Sequence, residues 1–415
     1  MATKKTITER IEDRKKEKNQ SSKKGKKTKS AAREWGETIL FALVFVPLVN
    51  AFILQSYAIP TSSMENSMLA GDKLFVSKVN FGSRIPMTPV ALPFMHDRIP
   101  GTDKQSYTEL IKLPYMRLPG FSKVEKGDII VFNWPMGDTL TTKYWSQVTM
   151  RELEQAFGKE GVKRKFDLVS RPVDRRENFV KRCQGAPGDS LKIVEGQVIV
   201  NGVPNDLPEK AQFTHIVTTK NGPITQKNLI KLGFMPREKG LEYSYLGSNK
   251  YEMKISKTQA DEIAQLPYIQ EVVKKLEQAG VPGRGVFPHN DSLLWNRDNY
   301  GPIWIPKKGA TVQLDSKVKY DMYQRCIKIY EGNSGLTWKN GQAVLDGKPL
   351  TEYTFEMDYY WMMGDNRHNS QDSRIWGFVP EDHIVGTPIF VWLSTESDGT
   401  FLDKIRWKKS FRIPR

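Results

Sequence analysis

Hydrophobic residues form one long run near the N-terminus and only short runs elsewhere. The long run, residues 39–54, is apolar at nearly every position. Counted from Trp35 to Tyr57, it reaches the roughly 20 residues that a bilayer span needs, with an aromatic residue at each end. Pro47 and Asn50 interrupt the run, but membrane helices tolerate such residues. The pattern predicts one transmembrane helix over residues 35–57, with no second run of comparable length.

Two other interpretations of this run are less consistent with the sequence. A cleaved signal peptide has a shorter apolar core, and residues 58–60 (Ala-Ile-Pro) make a poor cleavage site. A buried core helix would not need a basic segment before it. Residues 1–34 hold thirteen Lys and Arg against five Asp and Glu, half of the net charge of +16. The positive-inside rule therefore predicts a cytoplasmic basic tail over residues 1–34 and places residue 57 onward across the membrane.

The remaining hydrophobic runs are short, rich in β-branched and aromatic residues, and bounded by turn residues, which is typical of strands. Strands are predicted at residues 73–79, 129–132, 178–183 and 388–393, with a hairpin at residues 191–200. Residues 82–120 are rich in Pro and predict a long loop or an extended excursion. Helical patterns cover residues 149–157 and, with a bend at Pro267, residues 257–278. The fold class is therefore mainly β, with an antiparallel sheet at its core.

The same patterns divide the chain into six parts. The sheet core is predicted in two pieces, residues 58–202 with a polar insertion at about 135–177, and residues 351–400. Residues 203–350 interrupt it as an inserted mixed α/β subdomain. The basic tail at 1–34, the transmembrane helix at 35–57 and a basic C-terminal tail at 401–415 complete the division.

Charge and composition exclude several classes of function. The 415 residues are 39% hydrophobic, which fits a globular protein. Because the excess positive charge is concentrated in the tail, nucleic acid is not expected as a partner. The five histidines are scattered and make no metal-binding spacing with the two cysteines, so no metal or cofactor is predicted. Cys183 and Cys326 either pair with each other or stay free.

Candidate catalytic groups are concentrated in two polar segments. Residues 57–69 are rich in hydroxyl groups and directly follow the apolar run. Residues 364–374 hold Asp365 and Asp372, but the arginines beside these carboxylates favour structural ion pairs over paired acid–base catalysis. A Ser/His/Asp triad would need His368 or His383, and neither lies in a context typical of such triads.

A serine paired with a lysine is the remaining possibility. A lysine serves as a general base only when it is neutral, and burial in apolar surroundings lowers its pKa. Lys181 lies in a predicted strand, where alternation turns it to the same face as Phe179. A single lysine in a strand is usually exposed, so other parts of the sequence must decide.

Four segments together resemble the bacterial type I signal peptidases (leader peptidases), membrane-bound endopeptidases with a Ser/Lys dyad. The first is residues 60–72, with Pro-Thr-Ser-Ser-Met at its start and Gly-Asp at its end. The second is residues 126–132 (Lys-Gly-Asp-Ile-Ile-Val-Phe), and the third is residues 179–189. The fourth, residues 364–380, begins Gly-Asp-Asn-Arg-His-Asn-Ser-Gln-Asp-Ser-Arg and is the most specific. Their order matches that of the family.

The resemblance implies a role for each matching residue. Ser63, directly before Met64, corresponds to the nucleophile, and Lys181 corresponds to the general base. Thr61 stands where the family more often has Ser, and its hydroxyl would complete an oxyanion hole with the Ser63 backbone N–H. The supporting residues implied are Ser370, which would orient the lysine amine, and the ion pair of Asp372 and Arg374. Shallow pockets for small side chains would be lined by Ile59, Met64 and Val180.

The resemblance also implies an activity and a location. The enzyme would remove signal peptides from exported preproteins after small residues, on the outer (periplasmic) side of the bacterial inner membrane. Its partners would be preproteins, the lipid bilayer and the secretion machinery. Two alternatives remain, an inactive membrane-anchored binding protein on the same scaffold and a self-cleaving Ser/Lys protease of the repressor type. One departure is His368, where the family usually has Asp.

Overall fold

The computed structural model describes residues 30–102, 104–136, 139–141, 150–234, 243–396 and 403–414. Most of the basic tail predicted at residues 1–34 therefore lies outside the described residues. Within them, the helices are α1 (Ala31–Phe52), α2 (Met150–Phe157), α3 (Lys159–Lys165), α4 (Gln226–Lys231), α5 (Lys257–Ala264), α6 (Lys317–Arg325) and α7 (Ser373–Trp376). The strands are β1 (Leu54–Ala58), β2 (Asp72–Ser77), β3 (Ile129–Asn133), β4 (Thr139–Thr141), β5 (Leu168–Ser170), β6 (Asn178–Gly185), β7 (Ser190–Val194), β8 (Gln197–Val200), β9 (Val203–Pro204), β10 (Gln212–Thr219), β11 (Tyr243–Gly247), β12 (Lys250–Ser256), β13 (Ile269–Lys274), β14 (Tyr300–Trp304), β15 (Thr311–Gln313), β16 (Thr337–Lys339), β17 (Gln342–Leu345), β18 (Lys348–Pro349), β19 (Glu352–Thr354), β20 (Tyr359–Met363), β21 (Val379–Pro380) and β22 (Ile384–Ser394).

Helix α1 has the length and composition of a membrane span. Its 22 residues include a window with a mean hydropathy of 1.7, none of which is buried. At about 1.5 Å per residue, the helix is about 33 Å long, close to the ~30 Å of a bilayer's hydrocarbon core. It is the only helix in the described part of the chain with these properties. The described residues 30–48 belong to one compact unit, and the described residues from Val49 onward belong to another.

The predicted end of this helix at Tyr57 is wrong. The helix ends at Phe52, and Tyr57 lies in strand β1, where it pairs with Leu74 of β2. The backbone groups of residues 54–58 therefore bond to a neighbouring strand rather than to the preceding helical turn. The hydrophobic run does not reveal where the helix ends, because helices and strands both accept apolar residues.

The central sheet is built from the short hydrophobic runs seen in the sequence. Its seven strands lie in the order β1-β2-β22-β3-β6-β20-β21, and neighbouring strands are antiparallel. All of β3 is buried. Because successive side chains of a strand point to opposite faces, Ile129 and Val131 join one hydrophobic cluster and Ile130 and Phe132 join another. Both faces of the sheet are therefore covered, which confirms a mainly β fold.

Residues 82–120, called here the excursion, leave the sheet after β2 and fold back on themselves. Isolated antiparallel bridges join Arg84 to Arg117 and Arg98 to Gln105. Gly82, with a φ of 82°, lies against Leu118 and Gly120 at the base, where a side chain would overlap the backbone. Of the two alternatives predicted for this segment, the described residues show the long loop, which is held by isolated bridges and contains no helix or strand.

Residues 203–350 contain two differently packed parts. Strands β11-β12-β10-β13 form an antiparallel sheet that encloses a hydrophobic cluster of its own with α4 and α5. From residue 286 onward the chain instead joins the largest cluster, which also includes the β7–β8 hairpin and residues 355–378. Strand β14 pairs directly with β7.

The helix predicted over residues 257–278 is wrong in its second half. Helix α5 starts in a capping box of Ser256 and Gln259 and ends at Ala264. Pro267 disfavours helical geometry in the residue before it. The following Ile269–Lys274 forms β13, which pairs with β10. The structure of this segment is decided by its pairing with a strand that lies about fifty to sixty residues earlier in the chain. Local helix or strand propensity gives no information about such a distant partner.

The C-terminal segment, residues 403–414, packs against the central sheet. Arg412 pairs with Val391 of β22. Its guanidinium donates hydrogen bonds to the Ser67 carbonyl (2.9 Å) and the Asp72 carboxylate (2.5 Å). The segment had been predicted as a basic tail, but its described residues are fixed to the body.

Candidate active site

Ser63 lies in a closed loop between β1 and β2. The loop is closed at its base by two backbone hydrogen bonds of 2.8 Å, from Ile59 N to Asp72 O and from Gly71 N to Ile59 O. Met64 and Met68 point into the hydrophobic cluster below it and are fully buried. These anchors fix the backbone on both sides of the serine.

Lys181 reaches Ser63 from strand β6. Its Nζ donates to Ser63 Oγ over 2.7 Å and to the Val180 carbonyl over 2.9 Å. The lysine is 2% exposed and the serine 9%. The two residues are separated by 118 positions, and β6 brings them together through its pairing with β3, in which Lys181 stands opposite Ile130.

Burial controls the charge of this lysine. Loss of solvation lowers the pKa of Lys181 from 10.5 to about 8, while the carboxylates of Asp372 and Asp365 partly oppose the shift. At pH 7 a lysine with this pKa is ~10% neutral, against well under 0.1% for one with its usual pKa. The arrangement can therefore supply a neutral amine in contact with a hydroxyl group.

Thr61 and Ser370 were both expected beside this pair. The Thr61 hydroxyl lies 3.4 Å from Ser63 Oγ. The single hydrogen of the Ser370 hydroxyl is instead shared between the Gln371 carbonyl, at 3.3 Å, and the carboxylate of Asp372, whose pKa it helps to lower. Among the described residues, the hydrogen-bond partners of the Lys181 amine are Ser63 and Val180, so the expected contact with Ser370 is not formed.

The lack of a side chain at Gly364 allows Ser370 to lie close to the serine loop. A Cβ on Gly364 would overlap Ser370 Oγ and lie 2.6 Å from the Ser63 carbonyl oxygen. The backbone of the 364–374 loop therefore touches the backbone of the serine loop, and only glycine fits between them.

Residues 364–374 hold the serine loop through amide groups. Asn366 N donates to the Ser63 carbonyl over 3.0 Å, and its side chain donates to the Ser62 carbonyl over 3.2 Å. Asn369 donates to Ser62 Oγ over 2.9 Å. Sequence reasoning assigned no role to either asparagine, although the density of amide and hydroxyl groups in this loop was the available signal.

Two buried ion pairs support these loops. Asp372 binds Arg374 through both carboxylate oxygens (2.9 and 2.7 Å) and accepts a hydrogen bond from Gly364 N. Burial alone would raise the pKa of Asp372, but the charge and hydrogen bonds of Arg374 outweigh it and lower that pKa. Asp365 pairs with Arg182 (2.9 and 2.7 Å). The expectation of structural ion pairs therefore holds, with Arg182 replacing the neighbouring arginine as the partner of Asp365.

Among the described residues, neither histidine considered for a triad forms a hydrogen bond with Ser63. His383 donates from Nδ1 to Asp382 over 2.6 Å, and its Nε2 accepts from Arg176 over 3.1 Å. His368 accepts at Nδ1 from Thr214 N, so its Nε2–H donates to Asp298 over 3.0 Å. Both rings therefore have structural partners on both nitrogens. His368 stands where the family usually has Asp, and in this protein it pairs with the acidic residue Asp298.

A cleft of about 320 Å³ opens beside the Ser63–Lys181 pair. The predicted pocket residues Ile59, Met64 and Val180 all line it. The residues that sequence reasoning did not assign to it are Tyr57, Ala58, Pro60, His96, Val131, Glu177, Asn178 and Phe179. His96 is the only one of the described excursion residues in the cleft wall.

The two cysteines are free and buried. They belong to different hydrophobic clusters, and burial raises the pKa of both thiols. The alternative of a disulfide is therefore wrong, and neither thiol is activated for chemistry.

Comparison with known proteins identifies the family of this site. The family described as signal peptidase, peptidase S26, matches residues 32–234 and 266–393. The chain belongs to this family. It is therefore a serine peptidase of the signal peptidase type, a family whose activity is the removal of signal peptides.

Similar proteins from several bacteria agree with this assignment. Signal peptidase I of Helicobacter pylori (strain ATCC 700392 / 26695) is 36% identical over 382 residues, which cover 89% of each chain. Signal peptidase I of Buchnera aphidicola subsp. Acyrthosiphon pisum is 23% identical over 376 residues, covering 91% of this chain and 77% of the relative. Signal peptidase I of Haemophilus influenzae is 23% identical over 386 residues, covering 93% and 75%.

Proposed function

We propose that the protein is a membrane-anchored endopeptidase that removes signal peptides with Ser63 as nucleophile and Lys181 as general base. The observation that carries this proposal is the 2.7 Å contact between Lys181 Nζ and Ser63 Oγ inside a buried site. The cleft beside the pair supplies the space for a substrate. Among the described residues, no histidine and no carboxylate forms a hydrogen bond with the Ser63 hydroxyl.

The reaction proceeds in two steps on the same serine. Neutral Lys181 takes the proton of the Ser63 hydroxyl as Oγ attacks the scissile carbonyl, and the resulting ammonium returns a proton to the leaving amine. The Thr61 hydroxyl and the Ser63 backbone N–H donate to the developing oxyanion, each such donor contributing about 3 kcal/mol. Lys181 then activates a water molecule that releases the acyl-enzyme.

The supporting residues act on the nucleophile indirectly. The pair of Asp372 and Arg374 holds the 364–374 loop, and Ser370 is positioned through Asp372. We propose that Ser370 moves its hydroxyl toward the Lys181 amine when substrate is bound. Catalytic hydrogen bonds often tighten only in the substrate complex, so its free-state position is compatible with an orienting role.

Substrate recognition is proposed to use the open side of β6. Strand β20 pairs with β6 only from Arg182 onward, through Met363, while β3 pairs along the other side of residues 178–182. The backbone of residues 178–181 therefore borders the cleft on the β20 side. An extended preprotein segment can add there as a strand, with small side chains directed at Ile59, Met64 and Val180.

Membrane anchoring is proposed for helix α1. Its exposed apolar side chains would face lipid, and the basic residues before it favour a cytoplasmic N-terminus with the peptidase unit outside the inner membrane. Extraction that releases the protein only with detergent would support the anchor, whereas release by salt or alkali would contradict it. Protease added to intact spheroplasts tests the orientation, since it should digest residues 58–415 and spare the tail.

The dyad is tested by processing of a purified preprotein in detergent. S63A and K181M should each lose cleavage by at least a thousandfold, because each removes a group that takes part in the bond change. S190A and K192M are matched controls on the exposed positions of strand β7 and should cleave normally. Normal cleavage by S63A or K181M would refute the dyad. A wild-type protein that binds preproteins without cleaving them would instead support the inactive scaffold.

A further inference from the structure

The excursion contributes a single described residue, His96, to the wall of the cleft. The segments that carry the family resemblance lie outside residues 82–120, so this contribution belongs to the excursion alone. A side chain in a cleft wall influences which substrates fit, provided that its position is fixed. The contacts around His96 show how it is fixed.

Arg175 fastens the excursion to the chain before β6. Its guanidinium donates to Thr88 Oγ1 (2.6 Å), to the Thr88 carbonyl (2.7 Å) and to the His96 carbonyl (3.0 Å). Asp174 accepts from both the backbone N–H and the hydroxyl of Thr88 over 3.0 Å. The backbone of His96 is therefore tied directly to the segment that leads into the Lys181 strand.

The imidazole of His96 is fixed as well. Its Nε2 lies 2.9 Å from the Arg176 carbonyl. Next to it, buried Arg171 joins Asp97 (3.4 Å) to Glu177 (2.8 and 2.5 Å). Because a carbonyl only accepts, Nε2 carries the hydrogen, and Nδ1 of the neutral ring is an acceptor. Among the described residues, Nδ1 has no hydrogen-bond partner.

The position of His96 along the cleft can be counted on β6. Lys181 marks the scissile bond, and His96 borders the cleft together with Glu177 and Asn178. These residues precede Lys181 by three and four positions, or ~10–13 Å at about 3.3 Å per residue. We take the substrate strand to run parallel to β6, so that it advances in the same direction and by the same distance per residue. His96 therefore lies near the fourth or fifth residue before the cut.

We propose that His96 is a specificity-determining residue that favours a hydrogen-bond donor at the fourth or fifth substrate position before the cut. Its Nδ1 accepts from a Ser, Thr, Asn or Gln side chain, and an apolar side chain of the same size leaves it unpaired. This inference rests on the proposed function, since it takes Ser63 and Lys181 as the site of cleavage.

The test compares peptide pairs that differ only by Thr or Val, which are similar in size. The substitution is placed at the second, fourth or fifth residue before the cut, and kcat/KM is measured for the full-length enzyme in detergent. Wild type should prefer Thr by about threefold to tenfold at the fourth or fifth position, as expected for one partly exposed hydrogen bond. H96A should abolish that preference without changing the result at the second position.

Two variants separate hydrogen bonding from structure. H96Q keeps a donor for the Arg176 carbonyl and an acceptor for substrate, so it should retain part of the preference. F94A changes a residue of the same excursion that is 67% exposed and lies outside the cleft, and it should behave as wild type. If H96A does not fold, H96L fills the space without hydrogen-bonding groups and replaces it.

Several outcomes would overturn the inference. These are the absence of any Thr preference in wild type, an unchanged preference in H96A or H96L, and an equal loss of selectivity at the second position. Failure of the proposed function is distinct, because cleavage would then survive in S63A or be absent in wild type with every peptide. Cleavage that depends on Ser63 but is indifferent to His96 refutes only the role of His96.

Discussion

Removing the charge of Lys181 is expected to stabilise the folded protein at neutral pH. The lysine is 2% exposed, and its pKa falls from 10.5 to about 8 on folding. Each pKa unit corresponds to about 1.36 kcal/mol, so the buried ammonium costs the folded state roughly 3 kcal/mol when both states are protonated. K181M removes this cost and loses two hydrogen bonds of about 1 kcal/mol each. The net gain expected at pH 6.5 is about 1–2 kcal/mol.

The sign of the pH dependence distinguishes this explanation from others. Between pH 8 and 10.5 the unfolded state of the wild type binds more protons at this lysine than the folded state, so wild-type stability rises with pH. The ammonium cost is fully present below pH 8 and vanishes by pH 10.5. K181M should therefore lose its advantage across this window and become the less stable protein above it.

Thermal unfolding of the full-length protein in detergent, followed by tryptophan fluorescence from pH 6.5 to 10.5, measures the difference. K192M is the matched control, because its side chain is exposed and its replacement should give no pH-dependent difference. A stability difference between K181M and wild type that is constant with pH would refute the assignment of a lowered pKa to Lys181. So would a K181M protein that is less stable than wild type at pH 6.5.

Three further predictions concern activity. The kcat/KM of wild type should rise about tenfold per pH unit below pH 8 and level off above it, because only neutral Lys181 accepts a proton; a flat profile from pH 6 to 9 would exclude it as the base. G364A should reduce kcat/KM at least a hundredfold, since the added Cβ overlaps Ser370 and displaces the Ser63 carbonyl, whereas G36A in helix α1, where nothing lies within 4 Å of the added Cβ, should be neutral. R412A should lower both kcat and the melting temperature by loosening the serine loop, and a variant with normal kcat would show that this brace is dispensable.

Ser63 and Lys181 were predicted as a pair from the resemblance to the family, while the loop and the strand that carry them were predictable from local patterns. Lys181 lies in a short buried strand, and Ser63 lies in a loop that directly follows a hydrophobic run. Both features are visible in a few neighbouring residues. The fold class was predictable for the same reason, since short β-branched runs separated by turns leave little alternative to strands.

Features that depend on distant pairing were not predictable. Ile269–Lys274 has the composition of either a helix or a strand, and its pairing with β10 decides between them. His96 gave no signal, because its place in the cleft depends on Arg175 and on the fold of the whole excursion. The position of Ser370 likewise follows from its contact with Asp372, which no spacing rule reports.

The brace at Arg412 has a consequence for the timing of enzyme maturation. Its partner Ser67 is 345 residues earlier in the chain. At ~5–20 residues per second, a ribosome takes about 20–70 s to travel from one to the other. Throughout that interval the serine loop exists without the contact that holds its far end. The growing chain should therefore reach its full activity only after Arg412 has emerged and bound the serine loop.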